Sequence, residues 1–361
     1  MKDTLQKDYY NHIKTLYSAN TIDRLNGIKK LMEIMKISIE ENIDSEFYSK
    51  RILSTLTWYV KRYGKGIVSG SQKHKLPEDI LMILQFIFKS DYSSIFLPEN
   101  LNNQNIGLDQ VNLQHHIFEN FHLSNFYANQ INLNSSVIQN IQLDDSSLNW
   151  AKFKKIKLND SSFNLSYLKW ADFSSSNLNK LSVINCQLQG NSFWKSQIEK
   201  TLIENTDASW GNFSESSVLW TKFNDSNLIE SNFYKSIVSN SKFIHCNIRN
   251  SNFYKSNIDN SFFIKSNLQG SNFNNAKTHT TTFDSTDLSN AQFRGCNLSN
   301  TFFQNTNWDS ANFTSNSNQT ILPPLIIIKQ QKNWKKALFD EIIWQNLMLD
   351  EKIKLPWKKH P

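Results

Sequence analysis

In this 361-residue chain, the side chains with most nucleophilic or metal-ligating potential are three cysteines, Cys186, Cys246 and Cys296, and a histidine cluster, His115, His116 and His122. No Cys or acidic pair accompanies the histidines at metal-ligand spacing, so packing or solvated histidines are expected. The Gly-rich basic loop "YGKGIVSGSQKHKLP" (63–77) lacks the GxxxxGK[ST] spacing and follows a helical pattern, so it reads as a helix connection rather than a phosphate cradle. Neither a Ser/His/Asp or Cys/His constellation nor a carboxylate pair emerges, and the expectation is of no catalytic, metal or cofactor-binding residue. What remains is recognition chemistry. Trp150, Trp170 and Trp210 are 20 or 40 residues apart, as are Trp194, Tyr234 and Tyr254, and Lys195, Lys235 and Lys255 follow the latter three. Exposed aromatics interleaved with cations suit a partner protein, stacked bases or sugars. The competing account is that outward positions are permissive and flat side chains merely cover the backbone below.

The element that would align these residues is a five-residue period. From Leu108 to Phe313 every fifth residue is large and apolar except Ala128, Ala208 and Thr278. From Ser136 onward a small residue is expected two places earlier, as in Ser231, Ser241, Ser251, Ser261, Ser271, Thr281 and Ala291. A period of five fits neither helix nor strand and calls for a repeat architecture. If each unit makes one side of a square coil, four units close a turn of about twenty residues, stacked about 4.8 Å from the next. The large and the small residue both point inward, and the polar positions face water.

A second period of ten supports the square. From Phe153, inward residues with numbers ending in 3 are Phe except Val183 and Ile203, whereas those ending in 8 are mostly Leu, Ile or Val. Ten residues reach the opposite side, so Phe faces Phe and each type stacks in its own column. The cysteines all take the small inward position. Cys186 and Cys246 are three coils apart, roughly 14 Å, with Cys296 on the opposite side, so no pair meets disulfide geometry.

These units, such as "ADFSS" (171–175), "SNFYK" (231–235 and 251–255), "SNLQG" (266–270) and "ANFTS" (311–315), resemble the pentapeptide-repeat family with its consensus A(D/N)LXX. The resemblance implies a right-handed quadrilateral β-helix, a β-solenoid. The first coils depart from the pattern: Ile106, Val111, His116, Phe121, Phe126 and Ile131 stand where a small residue is expected, so those coils should be swollen or irregular. The segment "RLNGIKKLMEIM" (24–35) also resembles the helical module preceding the repeats in many bacterial members.

The expected organisation is a helical N-terminal module over 1–102, the solenoid over 103–313, and over 314–361 a linker, a cap strand and helix and a basic tail. Four amphipathic helices are expected near 3–18, 21–38, 46–63 and from Pro77, together an α-helical cap. At the other end "ILPPLIIIK" (321–329) reads as one extended strand and Trp334 to Leu349 as a helix, a C-terminal strand-helix cap. Capping is needed because open solenoid ends expose core and unpaired backbone; homodimerisation through 320–349 is the alternative use.

No apolar stretch approaches the roughly twenty residues that span a bilayer, and a cytoplasmic location is expected. The formal charge of +7 sits at the ends: residues 103–313 carry 16 Lys and Arg against 16 Asp and Glu. The resemblance implies DNA gyrase or topoisomerase modulation by DNA mimicry, but a neutral shaft does not reproduce a polyanion's field. The expected function is a non-catalytic scaffold whose rigid coil presents an extended surface to a protein partner. Direct nucleic-acid binding through the basic ends and Lys-aromatic columns is the other alternative.

Overall fold

The computed structural model describes residues 2–63, 74–75, 77–87, 108–124 and 127–354, in two compact units, Met1–Asn177 and Leu178–Pro361.

The first unit opens with four helices: α1 (Lys2–Thr15), α2 (Thr21–Glu40), α3 (Ser45–Tyr63) and α4 (Glu78–Ile87). Asn20 caps α2, its side chain accepting from Ile22 N–H at 2.8 Å. The apolar stripe of α2 buries Ile28, Leu31, Ile34 and Met35, packed on Ile52, Leu56 and Val60 of α3 and Ile80 and Leu84 of α4 within one core. Phe47, which the periodicity assigns to that core, is 38% exposed with the Arg51 guanidinium over its ring, and Tyr48 is buried instead. Asp79 ties the bundle: it is 3% exposed, pairs with Arg24 at 3.1 Å and accepts from the Tyr59 hydroxyl at 2.7 Å. Burial and that bond to Asp79 push the Tyr59 pKa well above its ordinary value.

Most of the loop 63–77 lies outside the described residues, but His74–Lys75 forms a strand, β1, parallel to β2 (His116–Ser124) at His116 and Ile117. A strand thus interrupts what reads as a plain helix connection, and the bundle joins the edge of the first coil. β2 and β3 (Val137–Asp144) run 9 and 8 residues, whereas the strands that follow, Lys157–Asn159 and Ser162–Asn164, have three. The anticipated irregularity of the first coils takes this form. Val111, His116 and Ile131 are buried in the nominally small position, and an apolar cavity of about 30 Å³ opens between Leu84, Phe118, Ile131, Ile138 and Ile141. Ile106 and Phe126 lie outside the described residues. Ile141 and Ile156 also fill small positions and are buried, so the rule of small residues from Ser136 onward is looser than expected.

The second unit is a regular parallel β-solenoid. Residues twenty apart pair in register, as in Ser217↔Ile237↔Asn257 and Lys222↔Lys242↔Phe262. Up to Ile264 two sides of each coil are three-residue strands and the other two make single bridges such as Asn232↔Asn252 followed by a turn; from Lys277 on a third side is reduced to a bridge, and only Thr282–Asp284 and Phe302–Gln304 remain strands. Inside, Phe213, Phe233, Phe253 and Phe273 stack at 4.7 to 4.8 Å with planes within 5°. Across the axis Phe253 meets Phe263 edge-on at 6.0 Å and 90°. The Phe columns and their facing therefore follow the ten-residue period, and each buried ring contributes about 2 to 3 kcal/mol.

The small inward residues are more than fillers. The Ser251 hydroxyl donates to Leu228 C=O at 2.8 Å and accepts from Ser231 N–H at 3.2 Å; Ser241, Ser261 and Ser271 donate in the same way to Val218, Val238 and Ile248. Cys246 and Cys296 hold equivalent places, with thiols on Phe223 C=O and Phe273 C=O. All three cysteines are free and buried. The Asn of the repeat shapes the turn: Asn252 Oδ1 accepts from Tyr254 N–H while its Nδ2 donates to Asn232 Oδ1.

Residues whose numbers end in 0 or 5 make the corners, and nearly all have φ between +46° and +66°. L-residues favour this region only when small and polar, at a cost of about 1 to 2 kcal/mol otherwise, yet Trp210, Lys235 and the β-branched Thr280 all adopt it. Stacked hydrogen bonds on either side over-determine the corner.

At the C-terminal end the expected strand over 321–329 is not formed. Ile321 bridges to Asn297, after which Pro324 opens a short helix, α5 (Leu325–Lys329). Two consecutive prolines lack the N–H groups a ladder needs, and a fixed proline φ favours a helix start. Lys332 and Leu338 then bridge to Asn307 and Asn312. The helix expected from Trp334 is split: a 3-10 turn (Trp334–Lys336), the Leu338 bridge, then α6 (Glu341–Lys354). Phe339 stacks on Phe313 at 5.5 Å, and Trp308 is fully buried. Nor is 314–319 a free linker, since Asn318 Nδ2 donates to Asn275 Oδ1 at 2.8 Å. The tail beyond Lys354 lies outside the described residues.

Candidate interaction surface

Outward positions follow from the coil: a residue just after an inward Phe or Leu lies flat on its side, and the next stands at the corner. Trp150 and Trp170, in the first unit, are corner residues with φ of 56° and 60°, each 53% exposed. In the second unit Trp210 is a corner residue of the same kind, φ 59° and 53% exposed.

Trp194, Tyr234 and Tyr254 lie on the side that follows and are half-buried. Tyr234 and Tyr254 stack at 6.0 Å with planes 10° apart. Each ring carries the next residue's ammonium: Lys195 is 4.3 Å from the Trp194 ring centroid, Lys235 5.0 Å from Tyr234, and Lys255 5.1 Å from Tyr254. Its contact with the Tyr234 hydroxyl raises the Lys235 pKa. Glu215 joins the group, accepting from Trp194 Nε1 at 3.5 Å and pairing with Lys195 at 3.5 Å. The structure thus gathers Trp194, Lys195, Tyr234, Lys235, Tyr254 and Lys255 on one side of the second unit, with Trp210 at its edge. This surface offers flat apolar faces with cations beside them.

Sequence spacing passes over Trp220, a corner residue on another edge, 53% exposed with Lys200 5.8 Å from its ring. Its signal is a lone Trp at a corner number, without an aromatic twenty residues either side. Of the histidines, His116 is buried with Nδ1 2.9 Å from Gln114 C=O and His115 is a corner residue with φ 66°, while the His122 side chain lies outside the described residues.

Residues 236–313 match the family model described as the pentapeptide repeat region. These repeats are pentapeptide repeats, as their period indicates. Among solved structures, the chain is similar to HetL of Nostoc sp. strain PCC 7120, a pentapeptide repeat protein involved in heterocyst differentiation regulation, at 14% identity over 60% of this chain and 94% of that one, TM-score 0.44. It is similar to QnrB1, a plasmid-mediated fluoroquinolone resistance protein, at 17% identity over 57% and 95%, TM-score 0.37. It also resembles Rfr23 from Cyanothece 51142, at 16% identity over 38% and 63%, TM-score 0.11. No curated protein matches. Among the described residues no helix is long and apolar enough to cross a membrane.

Proposed function

We propose that the chain is a non-catalytic interaction scaffold, its coils holding an aromatic and cationic surface against a protein partner. The observation that carries this is the Trp194, Tyr234 and Tyr254 column with a lysine on each ring, beside an interior filled by its own phenyl rings. Aromatic residues are enriched where interfaces concentrate their energy, and a rigid coil presents them with little ordering cost. DNA mimicry toward gyrase or another topoisomerase is less favoured, because lysines line this surface; a supercoiling assay in which the protein changes gyrase activity would reinstate it.

The test is affinity purification from the native cell with wild-type protein and a Trp194→Ala/Tyr234→Ala/Tyr254→Ala variant of matched melting temperature. Loss of a specific partner in the variant is expected. Equal recovery, or turnover of a substrate by the pure protein, would overturn the proposal. A homodimer through 320–349 is a second use of the C-terminal segment, supported by the exposure there of Ile321, Leu338 and Ile342, the last at 74%. A monomeric mass in solution would remove it.

A further inference from the structure

The balanced charge of the repeats conceals a local excess. One twenty-residue coil of the first unit, residues 146–165, carries Lys152, Lys154, Lys155 and Lys157 against a single acid, Asp160. All four lysines are exposed, and none makes an ion pair among the described residues. Asp172, one coil beyond Lys152, is committed to its own turn, accepting from Ser174 N–H at 2.9 Å. The lysines stand on one side of the coil and around its next corner, while Trp150 and Trp170 stand at the corner before them, each 53% exposed. Neither indole has a ring or cation partner among the described residues, unlike Trp194, whose face is covered by Lys195. Four like charges within six residues and without internal partners make a local positive field that attracts an external anion.

We infer that this corner binds single-stranded nucleic acid, phosphates on the lysines and bases on the two indoles. Three observations select that ligand. The indoles are uncovered and the lysines unpaired here, whereas Lys195, Lys235 and Lys255 lie over their own neighbouring rings, and uncovered aromatic platforms beside cations are the usual apparatus for single strands. The lysines lie across the coil within six residues, at most about 20 Å of chain, which matches a few successive phosphates rather than the long axial array of a duplex. The surface turns a corner, which a flexible strand follows and a stiff duplex does not. The inference goes beyond the protein-partner function and uses other residues, so either can fail alone.

The test is a fluorescence-anisotropy titration of the full chain with a short labelled oligothymidylate, with salt varied from about 50 to about 200 mM. Three to four phosphate contacts give a slope of log K against log salt of about −2 to −3. Lys154→Glu/Lys155→Glu should weaken binding at least about tenfold and flatten the slope by about 1.4, and Trp150→Ala/Trp170→Ala should weaken it about tenfold or more with the slope unchanged. Lys235→Glu/Lys255→Glu should have no effect. These are outward positions, so matched circular-dichroism melts will confirm folding. No binding at low salt, equal loss in the Lys235/Lys255 variant, equal competition by duplex DNA, or displacement by polyglutamate as effective as by oligothymidylate would overturn the inference; the last would assign the corner to an acidic protein.

Discussion

The Ser251 hydroxyl donates to the Leu228 carbonyl one coil below, at 2.8 Å. Its chain neighbour Phe253 is fully buried between Phe233 and Phe273, so one unit supplies both a polar rung and an aromatic layer. Ser251→Ala removes the rung but keeps the volume, and should cost about 1 kcal/mol. Urea denaturation followed by circular dichroism measures this; an unchanged midpoint would reduce the serine ladder to filling.

Phe253→Ala opens a gap in the ring column and should cost about 3 to 5 kcal/mol, and Phe253→Asp more, because a charge there cannot be hydrated. Judged from the repeat alone, Asn252→Asp should be nearly silent, since the position faces outward. The structure corrects that: Asn252 Nδ2 donates to Asn232 Oδ1 at 3.1 Å, and a carboxylate would set two acceptors together. A loss of about 1 kcal/mol is expected, read in the same denaturation series.

Thr280 is a β-branched residue held at φ 53°. Thr280→Gly relieves the Cβ conflict, and Thr280→Asn suits the left-handed region better; each should stabilise by up to about 1 kcal/mol. Differential scanning calorimetry gives the sign, and a lowered melting temperature in both variants would refute the corner analysis.

Burial pushes the thiol pKa values of Cys246 and Cys296 up to about 12. A thiol with its folded pKa above its unfolded one favours the protonated, folded state. Its contribution is whole below about pH 8.5 and is lost as pH rises toward about 12. Stability should therefore fall across that window, and less steeply in Cys246→Ser/Cys296→Ser, since serine already serves elsewhere in this position. Both thiols should resist alkylation at pH 8 until the coil is unfolded; rapid labelling of the native protein would contradict their burial.

The inward phase was legible because a narrow coil admits one large side chain per unit, which makes every fifth residue declare itself from Leu108 to Phe313. Serine and alanine look equally small in a sequence, so the hydroxyl ladder was not legible, although the abundance of Ser over Ala was its trace. The left-handed corners left a partial signal in Asn240, Asn250 and Asn260, obscured by Trp210 and Lys235, which tolerate the same φ under constraint. The prolines at 323 and 324 announced the break that a run of Ile and Leu concealed. For the surface, twenty-residue spacing placed the columns. The contrast between exposed Trp210 at a corner and half-buried Tyr254 on a side follows from their places in the unit, whereas the lysine lying over each tyrosine ring is a matter of side-chain conformation that spacing does not encode.

The central claim, that the aromatic side of the second unit makes the partner contact, is tested most directly by photo-crosslinking in the native cell. A benzoylphenylalanine at position 254 lies on that side; one at position 264, ten residues on and equally half-buried, lies on the opposite side. A discrete adduct at 254 and none at 264 is the predicted result. Equal adducts at both positions, or an adduct at 264 alone, would contradict the account.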